Sequence, residues 1–269
     1  MNVKKSAMNK KTLRLNALIS LLQNQGTLYV SDIAQKLEVS EMTVRRDLDE
    51  LQDNNFVERH HGKAVFLRDN TVRAYEDIEN IYSLSSASQK MNEEKKRIAQ
   101  YAASLVEKGE VIILDNGSTT DKIADYIPDE MKLTVVCYNL NIAAKLSRKE
   151  KIDILLAGGY YHHSDQMFES SEGLQFLRAI RAHKLFLSAS GVHESLGMTC
   201  AHSFEVPVKQ TVLSSALTKI LVADSSKFDT VTTVFFSSLD NLDMIITDNG
   251  ISKEWTEIIQ SKNIKLVTT

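Results

Sequence analysis

Ser40-Glu41-Met42-Thr43-Val44-Arg45-Arg46-Asp47-Leu48-Asp49-Glu50-Leu51 is the stretch on which the reading of this chain turns. Val44, Leu48 and Leu51 recur at i, i+4 and i+7, the spacing of an apolar helix face. Ser40 stands where a side-chain oxygen caps the helix start. With that face turned inward, Met42, Thr43, Arg45 and Arg46 point elsewhere, near the N-terminal end. Just upstream, Ser31 is placed to cap a shorter helix with Ile33, Ala34 and Leu37 inside, and Glu38-Val39 form a brief turn. Helix, short turn, helix is the layout that sends the start of a second helix into the DNA major groove. There an arginine fork matches a guanine edge or a phosphate, and a threonine methyl meets a thymine methyl. By charge alone the same helix reads equally as a solvated surface helix, with Arg45–Asp49 and Arg46–Glu50 as i,i+4 pairs.

Outward from this helix, Leu13, Leu15, Leu18, Ile19, Leu21 and Leu22 give another apolar face at helical spacing, and 57–67 reads as two short strands around His60-His61-Gly62-Lys63. The stretch 69–91, with Ser83-Leu84-Ser85-Ser86-Ala87-Ser88, lacks a sustained apolar period and is read as a linker. From residue 92 the pattern changes. An amphipathic helix over 92–106 is followed by short apolar strands at Val111–Leu114, Leu133–Cys137, 152–157, 184–188, 220–223 and Met244–Thr247. Helices are expected at Thr120–Tyr126, Leu140–Leu146, 173–179 and 206–216. All-apolar strands between helices imply a largely parallel sheet covered on both faces, with ligands at the strands' carboxyl ends. The domains expected are 1–68 (winged helix-turn-helix), 69–91 (linker) and 92–269 (α/β).

Composition constrains the function class. The chain has 269 residues, 43% hydrophobic and 25% charged, which is ordinary for a soluble globular protein. No apolar run approaches a membrane span, and no signal core follows the basic N-terminus, so a cytoplasmic protein is expected. Residues 1–68 hold 11 Lys+Arg against 8 Asp+Glu, a net of +3; the remainder holds 21 against 27, a net of −6. A basic head on an acidic body suits a DNA-binding unit joined to a unit that does not bind DNA. Cys137 and Cys200 lie too far apart for a metal motif and read as reduced thiols. His162-His163 in a strand point to opposite faces, and His183 and His202 are isolated, so no metal and no cofactor is expected.

The run 39–48 resembles the recognition helix of the DeoR family of regulators, with Arg45-Arg46-Asp47-Leu48 after a capping serine. Arg59-His60-His61-Gly62-Lys63-Ala64 is similar to that family's wing, with Lys63 replacing a second glycine. The resemblance implies DNA contacts from Ser40, Met42, Thr43, Arg45, Arg46, Arg59, His61 and Lys63. It also implies a ribose-5-phosphate-isomerase-like α/β sensor domain, a phosphorylated-sugar effector, operator DNA and a homo-oligomer as partners, and no enzyme activity. Asp115-Asn116-Gly117-Ser118-Thr119-Thr120 after the first α/β strand, and Asp224-Ser225-Ser226-Lys227, match the family's sensor motifs. The implied effector residues are Asp115, Gly117, Ser118, Thr119, Thr120, Tyr138, Asn139, Gly158, Gly159, Gly191, Glu205 and Lys227. Val136-Cys137-Tyr138-Asn139-Leu140-Asn141 and Ser190-Gly191-Val192-His193 resemble the deoxyribonucleoside branch, which makes deoxyribose 5-phosphate the leading effector. Two alternatives stand beside this: an isomerase-like enzyme with a DNA-binding head, and a DNA-binding module whose second domain only oligomerises.

Overall fold

The computed structural model describes residues 14–15, 17–18, 21–22, 27–53, 57–60, 62–66 and 84–269. It divides into two compact units, 1–83 and 84–269.

In the first unit, Leu15, Leu18 and Leu22 are helical and buried. Strand β1 (Thr27–Tyr29) leads into α1 (Val30–Lys36), and α2 (Glu41–Asp53) follows a three-residue turn and Ser40. Strands β2 (Val57–His60) and β3 (Lys63–Phe66) pair antiparallel, with β1 on the far side of β3. Leu18, Ile33, Val44 and Leu48 are fully buried in one apolar cluster, so the i, i+4 spacing does face inward. The expected cap at Ser31 is displaced. Helix α1 begins two residues earlier, because Val30 packs into the core and Tyr29 takes the N-cap position without a side-chain bond. Gly62 carries φ +83, a left-handed turn that glycine adopts without strain. Lys63 lies beyond it in β3 and does not have a positive φ, so a second wing glycine is not needed.

The second unit opens with α3 (Leu84–Gln89) and α4 (Asn92–Ser104). The linker expected over 69–91 is revised at its C-terminal end. Leu84 is buried and donates its backbone N–H to Ser164 O, so α3 belongs to the second unit. Seven strands then form one sheet in the order β15-β14-β12-β9-β4-β5-β6. They are β4 (Val111–Leu114), β5 (Leu133–Cys137), β6 (Ile152–Leu156), β9 (Ala182–Leu187), β12 (Ala216–Val222), β14 (Met244–Thr247) and β15 (Lys265–Thr268). Every pairing in it is parallel. Period-two alternation feeds a core on each face: Ile113 enters one, Ile112 and Leu114 the other. Helices α4, α5 (Thr120–Tyr126) and α6 (Leu140–Leu146) cover one face; α7 (Ser171–Ala179), α8 (Glu205–Ser214) and α9 (Lys253–Ser261) cover the other.

Two smaller sheets sit outside the main one: the hairpin β7 (Tyr160–His162) with β8 (Met167–Glu169), and β10 (Gly191–His193), β11 (Gly197–Cys200) and β13 (Val234–Ser237). The sequence pattern had not marked these strands, nor β15 and α9. Among the described residues no helix is long and apolar enough to cross a membrane. Both thiols are buried, and burial pushes each up to about 12, so neither is a nucleophile near neutrality.

Trp255 is the chain's one tryptophan and is buried in the second unit, so its fluorescence reports that unit alone. Leu48→Ala should cost the first unit about 2–5 kcal/mol. In urea titrations the helical circular-dichroism signal should begin to fall at lower denaturant while the Trp255 midpoint stays in place. An equal shift of both signals would show that the units do not unfold separately.

Candidate functional site

The start of α2 presents the first group of predicted residues. Ser40 Oγ accepts the backbone N–H of Thr43 at 3.2 Å and lies 2.9 Å from Thr43 Oγ1, so the serine caps the helix as its sequence indicated. Met42 is 65% exposed, a large apolar side chain left in water at the point where a helix-turn-helix meets a base edge. Arg45 pairs with Glu41 at 3.2 Å rather than with Asp49, and both partners are half exposed. Such a surface pair stabilises little and yields its arginine readily to a phosphate. Asp47 turns inward and accepts a two-pronged bond from Arg14, with Arg14 Nη2 at 2.9 Å, which ties the first helix to α2. Lys63 lies over the ring of Tyr29, 4.6 Å from its centroid. The side chain of Arg59, and His61 as a whole, lie outside the described residues.

The second group gathers at one edge of the parallel sheet. The chain runs from β4 to β5 and β6 on one side, then crosses back to β9, β12 and β14 on the other. The switch point therefore lies at the carboxyl end of β4, where open α/β sheets form a crevice. Asp115 stands there, fully buried. One carboxylate oxygen accepts the Tyr138 hydroxyl from the end of β5. The other accepts the Ser188 backbone N–H at 2.8 Å and hydroxyl at 2.9 Å from the end of β9, and Lys209 Nζ at 2.6 Å from α8. Asp115 and Tyr138, both expected to meet ligand, are hydrogen-bonded to one another and join the ends of β4 and β5.

What is left unspent is beside them. Asn116 is 2% exposed, and neither atom of its amide has a hydrogen-bond partner. Asn139 is fully buried and donates to Asp115 O at 3.3 Å, while its Oδ1 has no partner. Buried polar atoms cost free energy when unpaired, so these two amides destabilise the crevice in which they lie. Nothing in the sequence sets Asn116 apart from the glycine and hydroxyls that follow it, because its lack of partners is a tertiary property.

The glycines carry a different lesson. A Cβ on Gly117 would sit 2.6 Å from Ser188 Cβ, on Gly159 2.3 Å from Glu169 O, and on Gly191 2.4 Å from Thr230 O. Close packing of neighbouring chain accounts for all three, whereas Gly158 faces open space. Ser118, Thr119 and Thr120 are buried in the same loop, and Thr120 Oγ1 is spent on Gly117 O. Lys227 follows β12 in a single 3-10 turn. Nearby, Lys95 is buried, bonded to Ala87 O at 2.6 Å and Lys90 O at 2.7 Å, and 3.5 Å from Asp224 Oδ2. Burial pushes the Lys95 ammonium down to about 8; Asp224 opposes this, while Lys227 and Lys122 press it lower.

On the α8 side, Glu205 is buried and its Oε1 accepts the His202 backbone N–H at 3.0 Å. It forms an i,i+4 ion pair with Lys209 at 3.9 Å along α8. His202, read as isolated, is 3.1 Å from the fully buried Asp165. His162 and His163 do part to opposite faces, His162 stacking on Phe204 and His163 meeting Tyr161 edge-on.

Two family models cover this chain: the DeoR-like helix-turn-helix domain over residues 14–70 and the DeoR C terminal sensor domain over 90–249. The chain belongs to the DeoR family. It is a DNA-binding transcription regulator with a helix-turn-helix unit and an α/β sensor unit, the fold class expected. It is 35% identical over 254 residues to the deoxyribose operon repressor of Escherichia coli K12, covering 94% of this chain and 97% of that one. It is 29% identical over 257 residues to the glycerol-3-phosphate regulon repressor of the same strain, covering 96% and 98%. Among solved structures, ribose 5-phosphate isomerase A from Neisseria gonorrhoeae aligns with 54% of this chain and 56% of its own at 18% identity and TM-score 0.38.

Burial pushes the Glu205 carboxyl up from 4.5 to about 7, with Lys209 opposing and Asp165 adding. The folded protein therefore holds this proton more tightly than the unfolded chain. Its contribution to stability is complete below about pH 4.5 and is lost as pH rises through about 7. Glu205→Gln removes that titration. The thermal midpoint of the variant should fall less than that of the wild type as pH is raised across this window. Parallel pH profiles would contradict the assignment.

Proposed function

We propose that this protein represses genes of sugar or nucleoside catabolism, and that a phosphorylated sugar bound at the strand ends of the sensor unit relieves the repression. It acts in the cytoplasm as a homo-oligomer on operator DNA. Ser40, Met42, Thr43, Arg45 and Arg46 read the operator from the start of α2, and Arg59, His61 and Lys63 reach the backbone from the wing. The phosphate rests on residues 117–120 with Lys227 beside it, and the sugar extends toward Asn139, Gly158 and Glu205.

The observation that carries the effector reading is Asn116, a buried amide with no partner at the switch point of the sheet. Lys227, in the turn after β12, is the cation we assign to the phosphate. Deoxyribose 5-phosphate is the first ligand to test, since the E. coli relative is named a deoxyribose operon repressor. An isomerase needs a free base to move a proton. Asp115 is fully buried and already accepts four hydrogen bonds, which supports sensing rather than turnover.

Relief requires that the ligand prefer the arrangement that leaves DNA; equal affinity for both would shift nothing. In gel shifts, Arg46→Ala should weaken specific operator binding by about 1–3 kcal/mol. Deoxyribose 5-phosphate should release the wild-type complex, free deoxyribose should not, and Lys227→Ala should blunt the release. Unchanged affinity in both Arg45→Ala and Arg46→Ala would remove α2 as the reading helix. If no sugar phosphate shifts the titration, the sensor reading fails and the oligomerisation-only reading replaces it. Isomerised product over hours of incubation would restore the enzyme.

A further inference from the structure

We infer that Asp165, His202 and Glu205 form a hydroxyl-recognising end of the effector site, which accepts a phosphorylated sugar with a neutral head and rejects a phosphorylated sugar acid. The inference rests on the effector reading above and adds the chemistry of the end opposite the phosphate.

The three side chains come from separate places: Asp165 from the turn between β7 and β8, His202 from the loop after β11, and Glu205 from the first turn of α8. One ligand-capable atom from each lies within 4.8 Å of the others. Asp165 and Glu205 are buried, while the His202 side chain keeps 23% of its surface, so the histidine is the side open to solvent. The group continues without a gap into the Asp115 network. Glu205 Oε2 is 3.9 Å from Lys209, which is 2.6 Å from Asp115, whose neighbour Asn116 begins the phosphate loop.

Hydrogen-bonding capacity sets the selectivity. The carboxyl groups of Asp115, Asp165 and Glu205 are buried beside one lysine and one histidine. Lys209 is committed to Asp115, and His202 to Asp165. A carboxylate brought in by a ligand loses its water and finds these cationic partners already taken, whereas a hydroxyl can donate to the acceptor oxygens present.

Asn139 gives an independent sign of the same chemistry. Its backbone bridges to Met167 and the next residue, Leu140, bonds Gln166 O, which sets it against the turn that carries Asp165. Its amide nitrogen is spent on Asp115 O, so the atom left without a partner is the oxygen, an acceptor. A buried unpaired acceptor suits a hydroxyl and repels a carboxylate. Sites built to hydrogen-bond a hydroxyl discriminate strongly, because the wrong ligand leaves their buried groups unpaired.

The test is calorimetric titration of the full-length protein with deoxyribose 5-phosphate and with its oxidation product 5-phospho-2-deoxyribonate, which differs only at C1. The wild type should prefer the neutral-headed sugar by about tenfold or more. Asp165→Asn should narrow that ratio, chiefly by binding the acid better, and Glu205→Gln should do the same should the first variant not fold. A structural role alone would weaken both ligands together and leave the ratio unchanged, which would overturn the inference. Equal binding of the two by the wild type would also overturn it, while leaving the effector reading intact. Binding of neither would remove both. Uptake of Mn²⁺ or Zn²⁺ by the wild type that Asp165→Asn and Glu205→Gln abolish would make the cluster a metal site instead.

Discussion

The sensor unit depends on one buried ion pair, Asp115 with Lys209. A carboxylate and an ammonium, each almost wholly withdrawn from water, lie 2.6 Å apart. Desolvating two such charges is costly, and the cost is met only when geometry and further hydrogen bonds are good. Here they are: the Ser188 amide and hydroxyl and the Tyr138 hydroxyl complete the carboxylate's shell. Removing one partner of such a pair typically costs about 3–5 kcal/mol. The pair therefore fixes, relative to one another, the ends of β4, β5 and β9 and the axis of α8, the four elements from which the crevice is made.

Beyond this satisfied centre, other buried polar groups in the unit depart from the ordinary. Asn116 and Asn139 are buried with open hydrogen-bonding capacity, Glu205 holds a proton far above the ordinary carboxyl range, and Lys95 holds one less firmly than an ordinary lysine. Each departure destabilises the folded chain by itself. On our proposal, such departures mark a site where stability is given up for binding.

Much of this was legible in the sequence, and the limits have physical causes. The strands at Val111–Leu114 and Leu133–Cys137 were readable because burial on both faces demands unbroken apolar runs. The capped helix with Val44, Leu48 and Leu51 was readable because helical spacing survives without any tertiary information. The β7–β8 hairpin was not, since Tyr160-Tyr161-His162 is too short and too mixed to show a period. Strand β12 begins at Ala216, where the sequence still resembled the end of the preceding helix. Helix α3 was taken for linker because its serines hide a face that only Leu84 and the Lys95 bonds reveal. In the site, Asp115 and Glu205 were legible as polar residues at a strand end and a helix start, but their partners were not. That Asp115 is saturated and Asn116 is empty depends on partners 23 to 94 residues away, which no local pattern encodes.

The central claim is that an unpaired buried amide is kept at the head of the sheet for a ligand's sake. Asn116→Leu tests it most directly, because leucine has nearly the same shape and no polar atoms. If the claim holds, the variant gains stability, its thermal midpoint rising by on the order of 2 °C or more. The same protein loses calorimetric binding of deoxyribose 5-phosphate. A variant that melts lower, or that binds the sugar phosphate as the wild type does, would contradict the account.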